Sequence, residues 1–335
     1  MGETTGRMQG FLEEPRRKPI LGDPDRALLT RPLLPVGCQL CFPGLKAVIF
    51  VTGLCDESCY YCPVSREKLG RDVFYVNEEK VTSVEEAVLE VARSGARGAS
   101  ITGGDPLTRP HRVATLIRAF KDNFGSRFHV HLYTSGRYAT WGVLKELKKA
   151  GLDEIRFHPV RDTFLGAIER SVRIGLYTGI EIPIGPGLKA WAKRVLREAE
   201  LRGAAFANLN ELEFVQPNAR HLLARGIRES KTRPFTAEGS LEAAIEVLEW
   251  AQENLTIPVH FCPARFKDAI QTRNRLRRLS YLDARWFEQP TSRGTLQAIH
   301  VDNSGCRKLE YFPTRSRRPV VSEEECDVPV GGKRI

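Results

Sequence analysis

One stretch decides the fold, Ala47-Val-Ile-Phe-Val-Thr-Gly-Leu-Cys-Asp-Glu-Ser-Cys-Tyr-Tyr-Cys62. Its first half is a short apolar, β-branched run that ends at a glycine, which is the pattern of a buried strand. Its second half carries Cys55, Cys59 and Cys62 in the spacing C-x3-C-x2-C. Thiolates are soft ligands for iron–sulfur clusters, zinc or copper(I), and a structural site normally closes with four ligands. Three thiols on one loop therefore favour a metal centre with one open position, and a zinc knuckle with a distant fourth ligand is the alternative.

A second motif follows the next predicted strand, Gly98–Thr102, and reads Gly103-Gly104-Asp105-Pro106. Glycines let a ligand approach the backbone closely, and a carboxylate beside them can accept hydrogen bonds from an ammonium group. By itself this tetrapeptide is an ordinary turn. Together with the cysteines, however, it resembles the radical S-adenosylmethionine (SAM) superfamily. The signature of that superfamily is C-x3-C-x-aromatic-C followed by a Gly-Gly-Glu-Pro-like turn.

The resemblance implies a role for each motif residue. Three cysteines would bind a [4Fe–4S] cluster: Cys55, Cys59 and Cys62. Tyr61 would lie near the adenine of SAM, and the turn would receive the amino group of the SAM methionine through Gly103, Gly104 and Asp105. Asp105 stands where the family usually has glutamate, so its carboxylate is one methylene shorter.

The resemblance also implies the reaction. SAM would chelate the open iron, and one electron would cleave it to methionine and a 5′-deoxyadenosyl radical that abstracts hydrogen from a substrate. A flavodoxin- or ferredoxin-like protein would supply the electron. Within the superfamily the chain is similar to archaeal-type proteins related to pyruvate formate-lyase activating enzyme. Activation of a glycyl-radical enzyme, modification of RNA such as tRNA, and reaction with a small molecule all stay open as functions, and so does a non-catalytic zinc-knuckle protein.

The middle of the chain alternates predicted strands and helices. After the strand before Cys55 and the strand Gly98–Thr102, further strands are predicted at His129–Thr134, Glu154–Val160, Gly179–Ile184 and Ala207–Phe214. Right-handed crossovers would wind six such β/α units into an open barrel. We therefore predict an α/β fold, a partial (β/α)6 radical SAM barrel over residues 45–263. An N-terminal arm with a C-x2-C pair (residues 1–44) would precede it, and a basic helix with a C-terminal β-hairpin module (residues 264–335) would follow.

Polar residues at the strand ends are further candidates, because barrel enzymes place their chemistry at the carboxyl ends of the strands. Ser135, Arg156 and His158 are predicted to contact the cofactor, and the alternative is that they line the barrel and are satisfied by neighbours. Glu211 and Glu213 would point the same way along the sixth strand. A paired inward arrangement would be costly unless a cation met it.

The remaining cysteines suggest a second metal centre. Cys38 and Cys41 form a C-x2-C pair, half of a tetrahedral or cluster site. We predict that they join Cys262 and either Cys306 or His260 to bind zinc or an auxiliary iron–sulfur cluster. The alternative is that the pair is reduced and buried, as free cysteines commonly are. Cys326 is predicted to take no part.

Composition limits the other possibilities. The 335 residues carry a formal net charge of +10, which allows a polyanionic partner. The basic segment Ala264–Leu279 places Arg265, Asp268, Thr272 and Arg275 on one predicted helical face that could hold a phosphate or carboxylate; a solvated surface is the alternative. No apolar run reaches the roughly 20 residues of a membrane span, and Met1–Phe11 lacks the apolar core of a signal peptide. We therefore expect a cytoplasmic protein.

Overall fold

A computed structural model describes residues 19–302, 305–320 and 324–325, apart from the side chains of 301–306, 324 and 325. Within these residues, eleven strands form one sheet. They are β1 (Leu21–Asp23), β2 (Ala27–Leu29), β3 (Lys46–Phe50), β4 (Tyr75–Val76), β5 (Glu79–Lys80), β6 (Gly98–Thr102), β7 (His129–Thr134), β8 (Glu154–Phe157), β9 (Tyr177–Ile184), β10 (Phe206–Glu211) and β11 (Val259–Cys262).

Helices connect and cover these strands. They are α1 (Val36–Gln39), α2 (Val84–Arg93), α3 (Pro110–Phe124), α4 (Trp141–Ala150), α5 (Gly166–Arg173), α6 (Lys189–Leu201), α7 (Ala219–Leu223), α8 (Ser240–Asn254), α9 (Ala264–Phe266) and α10 (Arg273–Asp283). A π-helical segment, Lys267–Thr272, joins α9 to α10. None of the helices in the described residues has the length and apolar character needed to span a bilayer.

The sheet runs in the order β1-β2-β11-β10-β9-β8-β7-β6-β3-β4-β5. The seven strands from β11 to β3 in this order are parallel, and β2 and β4 pair antiparallel with the two outer ones. Because β3 and β11 are not paired with each other, the barrel stays open. The α/β fold class and the parallel β/α core are therefore confirmed. The count of six units is corrected to seven parallel strands, because α8 returns the chain to the free edge of β10 and adds β11.

The two faces of the parallel strands differ in chemistry. Outward residues such as Ile49, Ile101 and Leu132 are fully buried in one apolar core with the helices. Inward residues alternate with them, as strand geometry requires, and most are polar: examples are Tyr133, Arg156 and Glu181. The interior of this barrel is therefore a polar chamber rather than an apolar core.

Local signals explain where the helices begin and end. The Ser83 hydroxyl accepts a hydrogen bond from the Glu86 amide at 3.2 Å at the start of α2, and Thr140 caps α4 through the Val143 amide at 3.3 Å. Gly151 ends α4 with a φ of 102°, a conformation that glycine adopts without strain.

The N-terminal segment is more than an arm. Residues 1–18 lie outside the described residues, but β2 pairs with β11 and extends the barrel sheet. Helix α1 packs inside the barrel: a Cβ at Gly37 would lie 2.7 Å from both the Arg156 guanidinium and the His131 ring. The boundary predicted at residue 44 therefore cuts through one packed unit.

The C-terminal segment forms a second sheet of four antiparallel strands within the described residues. They are β12 (Gln289–Pro290), β13 (Leu296–Asp302), β14 (Gly305–Tyr311) and β15 (Glu324–Glu325). The predicted hairpin is confirmed as β13 and β14. The basic helix that precedes it packs on the barrel, because Arg275 is buried and forms an ion pair with Glu78.

A buried ion-pair network holds the inner face together. Arg156 is 2% exposed and lies between two carboxylates, with a hydrogen bond to Glu154 and one of 2.7 Å to Glu181. Burial alone would raise the pKa of Glu181, but Arg156 and the amides of Asn210 and Asn208 lower it to about 2. All three groups of the network are therefore charged at neutral pH.

We predict that Arg156→Met lowers the free energy of unfolding by about 3–5 kcal/mol, because it leaves two buried carboxylates without a cation. Urea unfolding followed by circular dichroism measures this loss. Arg173→Met is the control, since Arg173 is 66% exposed and its ion pair with Glu169 contributes little. Equal stability of the two variants would contradict the network's role.

Candidate functional site

A cavity of about 360 Å³ lies at the carboxyl ends of the central strands and is called the upper pocket. Its lining includes three cysteines and residues from neighbouring strand ends: Cys55, Cys59, Cys62, Gly103, Gly104, Ser135, His158, Glu181, Asn210 and Lys267. The cysteine motif and the Gly-Gly turn, predicted separately from sequence, thus meet at one site.

The cysteines lie on the triad loop, residues 51–74, between β3 and β4. Backbone hydrogen bonds close the base of this loop: Gly53 donates to Arg71 at 2.9 Å, and Gly70 donates to Gly53 at 2.8 Å. Another pair joins the loop to the turn after β6, where Gly104 donates to the Thr52 carbonyl at 2.8 Å. Asp105 donates to the Leu54 carbonyl at 2.7 Å. The triad loop and the turn therefore form one unit.

The glycines of the turn allow this close packing. A Cβ at Gly104 would lie 2.7 Å from the Gly53 carbonyl oxygen, and a Cβ at Gly103 would strike the Thr52 carbonyl. Both positions must lack a side chain for the turn to pack on the triad loop.

The three sulfurs differ in burial but share one environment. Burial raises the pKa of the Cys59 thiol to about 11 and raises the pKa values of Cys55 and Cys62. Backbone amides point at two of the sulfurs, with Glu57 3.5 Å from Cys55 and Val64 beside Cys62. Among the described residues, no three His, Cys, Asp or Glu side chains stand close enough together to hold a metal ion. The donor set nevertheless fits an iron–sulfur cluster in kind, because three soft thiols line one pocket with amide donors on their sulfurs.

An aromatic pair borders the upper pocket. His158 Nδ1 lies 2.9 Å from the Glu181 backbone carbonyl and must donate to it, so Nε2 accepts from the Tyr61 hydroxyl at 2.8 Å. Burial lowers the pKa of His158, which keeps the ring neutral. The rings of Tyr61 and His158 meet edge to face with centroids 5.7 Å apart. The structure thus brings both predicted residues to the pocket.

Asp105 is placed differently from the sequence prediction. Its carboxylate is 2% exposed and accepts hydrogen bonds from four donors: the Leu107 amide, the Thr134 hydroxyl, and the amide and hydroxyl of Ser135. The side chain faces β7 and is absent from the lining of the upper pocket. Asp105 therefore acts as an anchor for the turn, and its carboxylate is directed away from the upper pocket, where the prediction puts the SAM amino group. Ser135 lines the pocket, but its hydroxyl is engaged by the same carboxylate.

Arg156 does not line the upper pocket. It lies in β8, two residues before His158, and lines a second, deeper cavity of about 160 Å³ that is called the lower pocket. The lower pocket brings together Cys38, Cys41, His260 and Cys262, as predicted. The side chain of Cys306 and all of Cys326 lie outside the described residues. The two pockets share part of their walls: Thr102, Tyr133, Glu181, Asn210 and Lys267.

Glu211 and Glu213, predicted to point the same way, each have a cation. Glu211 is bound by Arg233 at 2.8 Å, and Glu213 lies beyond the end of β10 and pairs with Lys267. The sequence offers no signal for Arg233, which follows Glu211 by 22 residues.

Asn218 was also missed by sequence reasoning. It is 1% exposed, and its amide donates to the Tyr61 carbonyl at 3.0 Å and to the Glu213 carbonyl at 2.9 Å. This side chain ties the triad loop to the segment after β10. A single asparagine in a loop gives no sequence signal for such a role.

The four residues of the predicted phosphate-binding face are not all free to bind a ligand. Arg275 is 4% exposed and bound to Glu78, and Arg265 lies 3.5 Å from Asp25. The π-helical turn between them shifts the register that an α-helix would have. The helix instead sends Lys267 into the upper pocket.

Comparison with known proteins agrees with this geometry. A family model described as "Radical SAM superfamily" matches residues 49–160, which hold both motifs. A curated protein of Methanocaldococcus jannaschii is 38% identical over 276 residues, covering 78% of this chain and 72% of the relative. This chain belongs to the radical SAM superfamily. The family implies an iron–sulfur cluster of the [4Fe–4S] type and SAM as cofactors.

The M. jannaschii relative is named "Putative glycyl-radical enzyme activating enzyme". Among solved radical SAM structures, SuiB of Streptococcus suis bound to S-adenosylmethionine is 12% identical with a TM-score of 0.44, covering 65% of this chain and 50% of that one. Coproporphyrinogen III oxidase (HemN) of Escherichia coli is 13% identical with a TM-score of 0.43, covering 62% of this chain and 52% of that one.

We predict that Asp105→Asn lowers the free energy of unfolding of the SAM-free protein by about 2–3 kcal/mol, because hydrogen bonds to a charged acceptor are lost in a buried place. Urea unfolding measures the loss. Asp162→Asn is the control, since Asp162 is 68% exposed and pairs only with Arg194 at the surface. Unchanged stability together with lost SAM binding would instead show that Asp105 is a SAM ligand.

Proposed function

We propose that this radical SAM enzyme binds its [4Fe–4S] cluster through Cys55, Cys59 and Cys62 in the upper pocket. The observation that supports this assignment is the joint position of the triad loop and the Gly-Gly turn on one cavity. The cluster, when bound, supplies the electron for reductive cleavage of SAM, which leads to hydrogen abstraction from the substrate. The chain's own residues hold the reactants and exclude water.

The turn after β6 receives the methionine end of SAM in this proposal. Because the Asp105 carboxylate is engaged by buried donors, the backbone carbonyls of Gly103 and Gly104 are the groups left to meet the ammonium. Both glycines line the upper pocket. This arrangement explains why aspartate serves at a position where the family usually has glutamate: the side chain must reach Thr134 and Ser135, not the ligand.

Tyr61 and His158 form the wall that we assign to the adenine. The neutral imidazole and the phenol ring are locked by two hydrogen bonds, so their faces are fixed before a ligand arrives. Glu57 also lines the upper pocket and is held there by Arg137 and Arg161, each at 3.1 Å.

For the substrate we propose a polypeptide, in which a glycyl radical is generated. The support is the 38% identity to the relative named as an activating enzyme. A low-potential protein, flavodoxin- or ferredoxin-like, is proposed as the electron donor. RNA is not favoured, because the basic helix uses Arg275 and Arg265 in ion pairs with its own chain.

The cofactor assignment predicts SAM cleavage. Anaerobically reconstituted, dithionite-reduced protein should convert SAM to 5′-deoxyadenosine, measured by liquid chromatography and mass spectrometry. Cys59→Ala should reduce the product to background, because a cluster needs all three thiolates. Cys326→Ala, outside the described residues, is the matched control and should retain wild-type product. Full activity of Cys59→Ala would contradict the assignment.

The substrate assignment predicts a second signal. Candidate glycyl-radical proteins from the same genome, incubated with reduced enzyme and SAM, should give the doublet of a glycyl radical in electron paramagnetic resonance. Replacement of the acceptor glycine by alanine should abolish the doublet. Production of 5′-deoxyadenosine without a doublet, and its stimulation by tRNA or a small-molecule pool instead, would overturn the polypeptide substrate while leaving the cofactor assignment intact.

A further inference from the structure

The lower pocket is a second cluster of soft ligands, separate from the triad loop. Cys38 enters it from α1 and Cys41 from the turn that follows α1, and His260 and Cys262 enter it from β11. These two elements are more than 200 residues apart in sequence but meet inside the barrel. Cys38 and His260 are buried, and Cys38 Sγ lies 3.9 Å from His260 Nδ1. We propose that Cys38, Cys41, Cys262 and His260 bind one zinc ion in the lower pocket.

The first argument is that two N–H groups are directed at the sulfur of Cys38. Arg156 Nη2 lies 3.3 Å from Cys38 Sγ, and Asn208 Nδ2 lies 3.4 Å from the same atom. A neutral thiol is a weak acceptor, whereas a thiolate bound to a metal is a good one. Two N–H donors on a single buried sulfur are therefore the environment of a coordinated thiolate.

The second argument is an unmatched buried cation. Lys46 is 5% exposed and makes no ion pair with any carboxylate in the described part of the chain. Its side chain instead lines the lower pocket together with Cys41. A buried ammonium needs an anion nearby. Zinc with three thiolates and one imidazole carries a net charge of −1, which supplies that anion beside Lys46.

The third argument is the identity of the donors. Three cysteines and one histidine are a common closed set for structural zinc, whereas clusters of the ferredoxin type use four cysteines. With Zn–S near 2.3 Å and Zn–N near 2.0–2.1 Å, tetrahedral geometry places S and N roughly 3.6 Å apart. The distance of 3.9 Å between Cys38 and His260 is close to that value. The remaining donors must move inward, as they must at the triad loop, and metal binding supplies the free energy for this closure.

Two competing contacts must be exchanged. The Cys41 thiol donates to the Gly37 carbonyl at 3.3 Å. His260 Nδ1 lies 3.1 Å from Asn208 Oδ1, and because an amide oxygen only accepts, Nδ1 carries the proton and donates it in the metal-free chain. Zinc at Nδ1 moves that proton to Nε2, and the three thiols release their protons to solvent. No redox step is involved, because zinc keeps its charge.

The experiment uses the full chain with Cys55, Cys59 and Cys62 all replaced by alanine, so that the radical SAM cluster cannot form. Inductively coupled plasma mass spectrometry after growth with zinc should find one zinc per chain. Adding Cys38→Ala and Cys41→Ala should reduce zinc at least fivefold, and Cys326→Ala should leave it unchanged. Because the test lacks the triad, its failure is distinct from failure of the proposed function.

A second measurement covers the case in which the cysteine variants do not fold. Cobalt(II) added to the chelator-stripped triad variant should give the visible bands and thiolate charge transfer of a tetrahedral sulfur-rich site. Lys46→Met keeps all four ligands and should weaken zinc retention against a chelator 10–100-fold, the usual effect of losing an outer-shell partner. Lys145→Met, at an exposed helix position, is the matched control.

Three results would overturn the proposal. Iron and sulfide found in the triad variant would show that the lower pocket binds an auxiliary iron–sulfur cluster and not zinc. A Cys38–Cys41 disulfide in metal-free protein would make the pair a redox element. Octahedral cobalt spectra, or no metal in folded protein, would show that the lower pocket is not a metal site.

Discussion

The structure depends on keeping one guanidinium charged inside a barrel. Arg156 projects inward from the middle of the sheet, where water cannot solvate it, and carboxylates from β8 and β9 compensate it. A buried charge is tolerated only when it is paired and hydrogen-bonded. This pairing requires that the inner face of neighbouring strands be polar. The main apolar core then lies between the outer face of the sheet and the helices. In a closed barrel, by contrast, apolar side chains also fill the centre.

Much of this arrangement could be predicted from sequence, because period-two alternation and helical periodicity report burial directly. The strand before Cys55 and the five predicted strands after it all lie where the pattern places them, apart from a few residues at their ends. The apolar run Ile257–Phe261 indicates a further strand, but its place in the barrel depends on pairing with β10, which the sequence alone does not give. Strands β1 and β2 are three residues each, and pairing of β2 with β11 and of β1 with β2, rather than local propensity, forms them.

The site was predictable at the level of motifs but not of orientation. A carboxylate in a Gly-Gly-Asp-Pro turn can point at a ligand or back at the protein, and the choice is made by Thr134 and Ser135, about 30 residues later. Strand parity correctly groups Arg156 with His158 on the inner face. Parity does not say how deep in the barrel a side chain lies, however. Arg156 and His158 are two residues apart, yet Arg156 lines the lower pocket and His158 lines the upper pocket.

Hydrogen bonds join the two pockets through their common wall. From Cys38 the path runs 3.3 Å to Arg156 and then 2.7 Å to the Glu181 carboxylate. The backbone carbonyl of Glu181 holds His158 at 2.9 Å, and His158 holds Tyr61 at 2.8 Å. A path of this kind is not evidence of allosteric coupling, which needs two arrangements of the same groups. It does mean that a metal ion on Cys38 would hold the Arg156 guanidinium in place, and Arg156 in turn holds the Glu181 carboxylate. The Glu181 backbone carbonyl holds the His158 ring, which orients Tyr61. The contacts of the lower pocket therefore support the side chains of the upper one, because the charged residues Glu181 and Lys267 line both pockets.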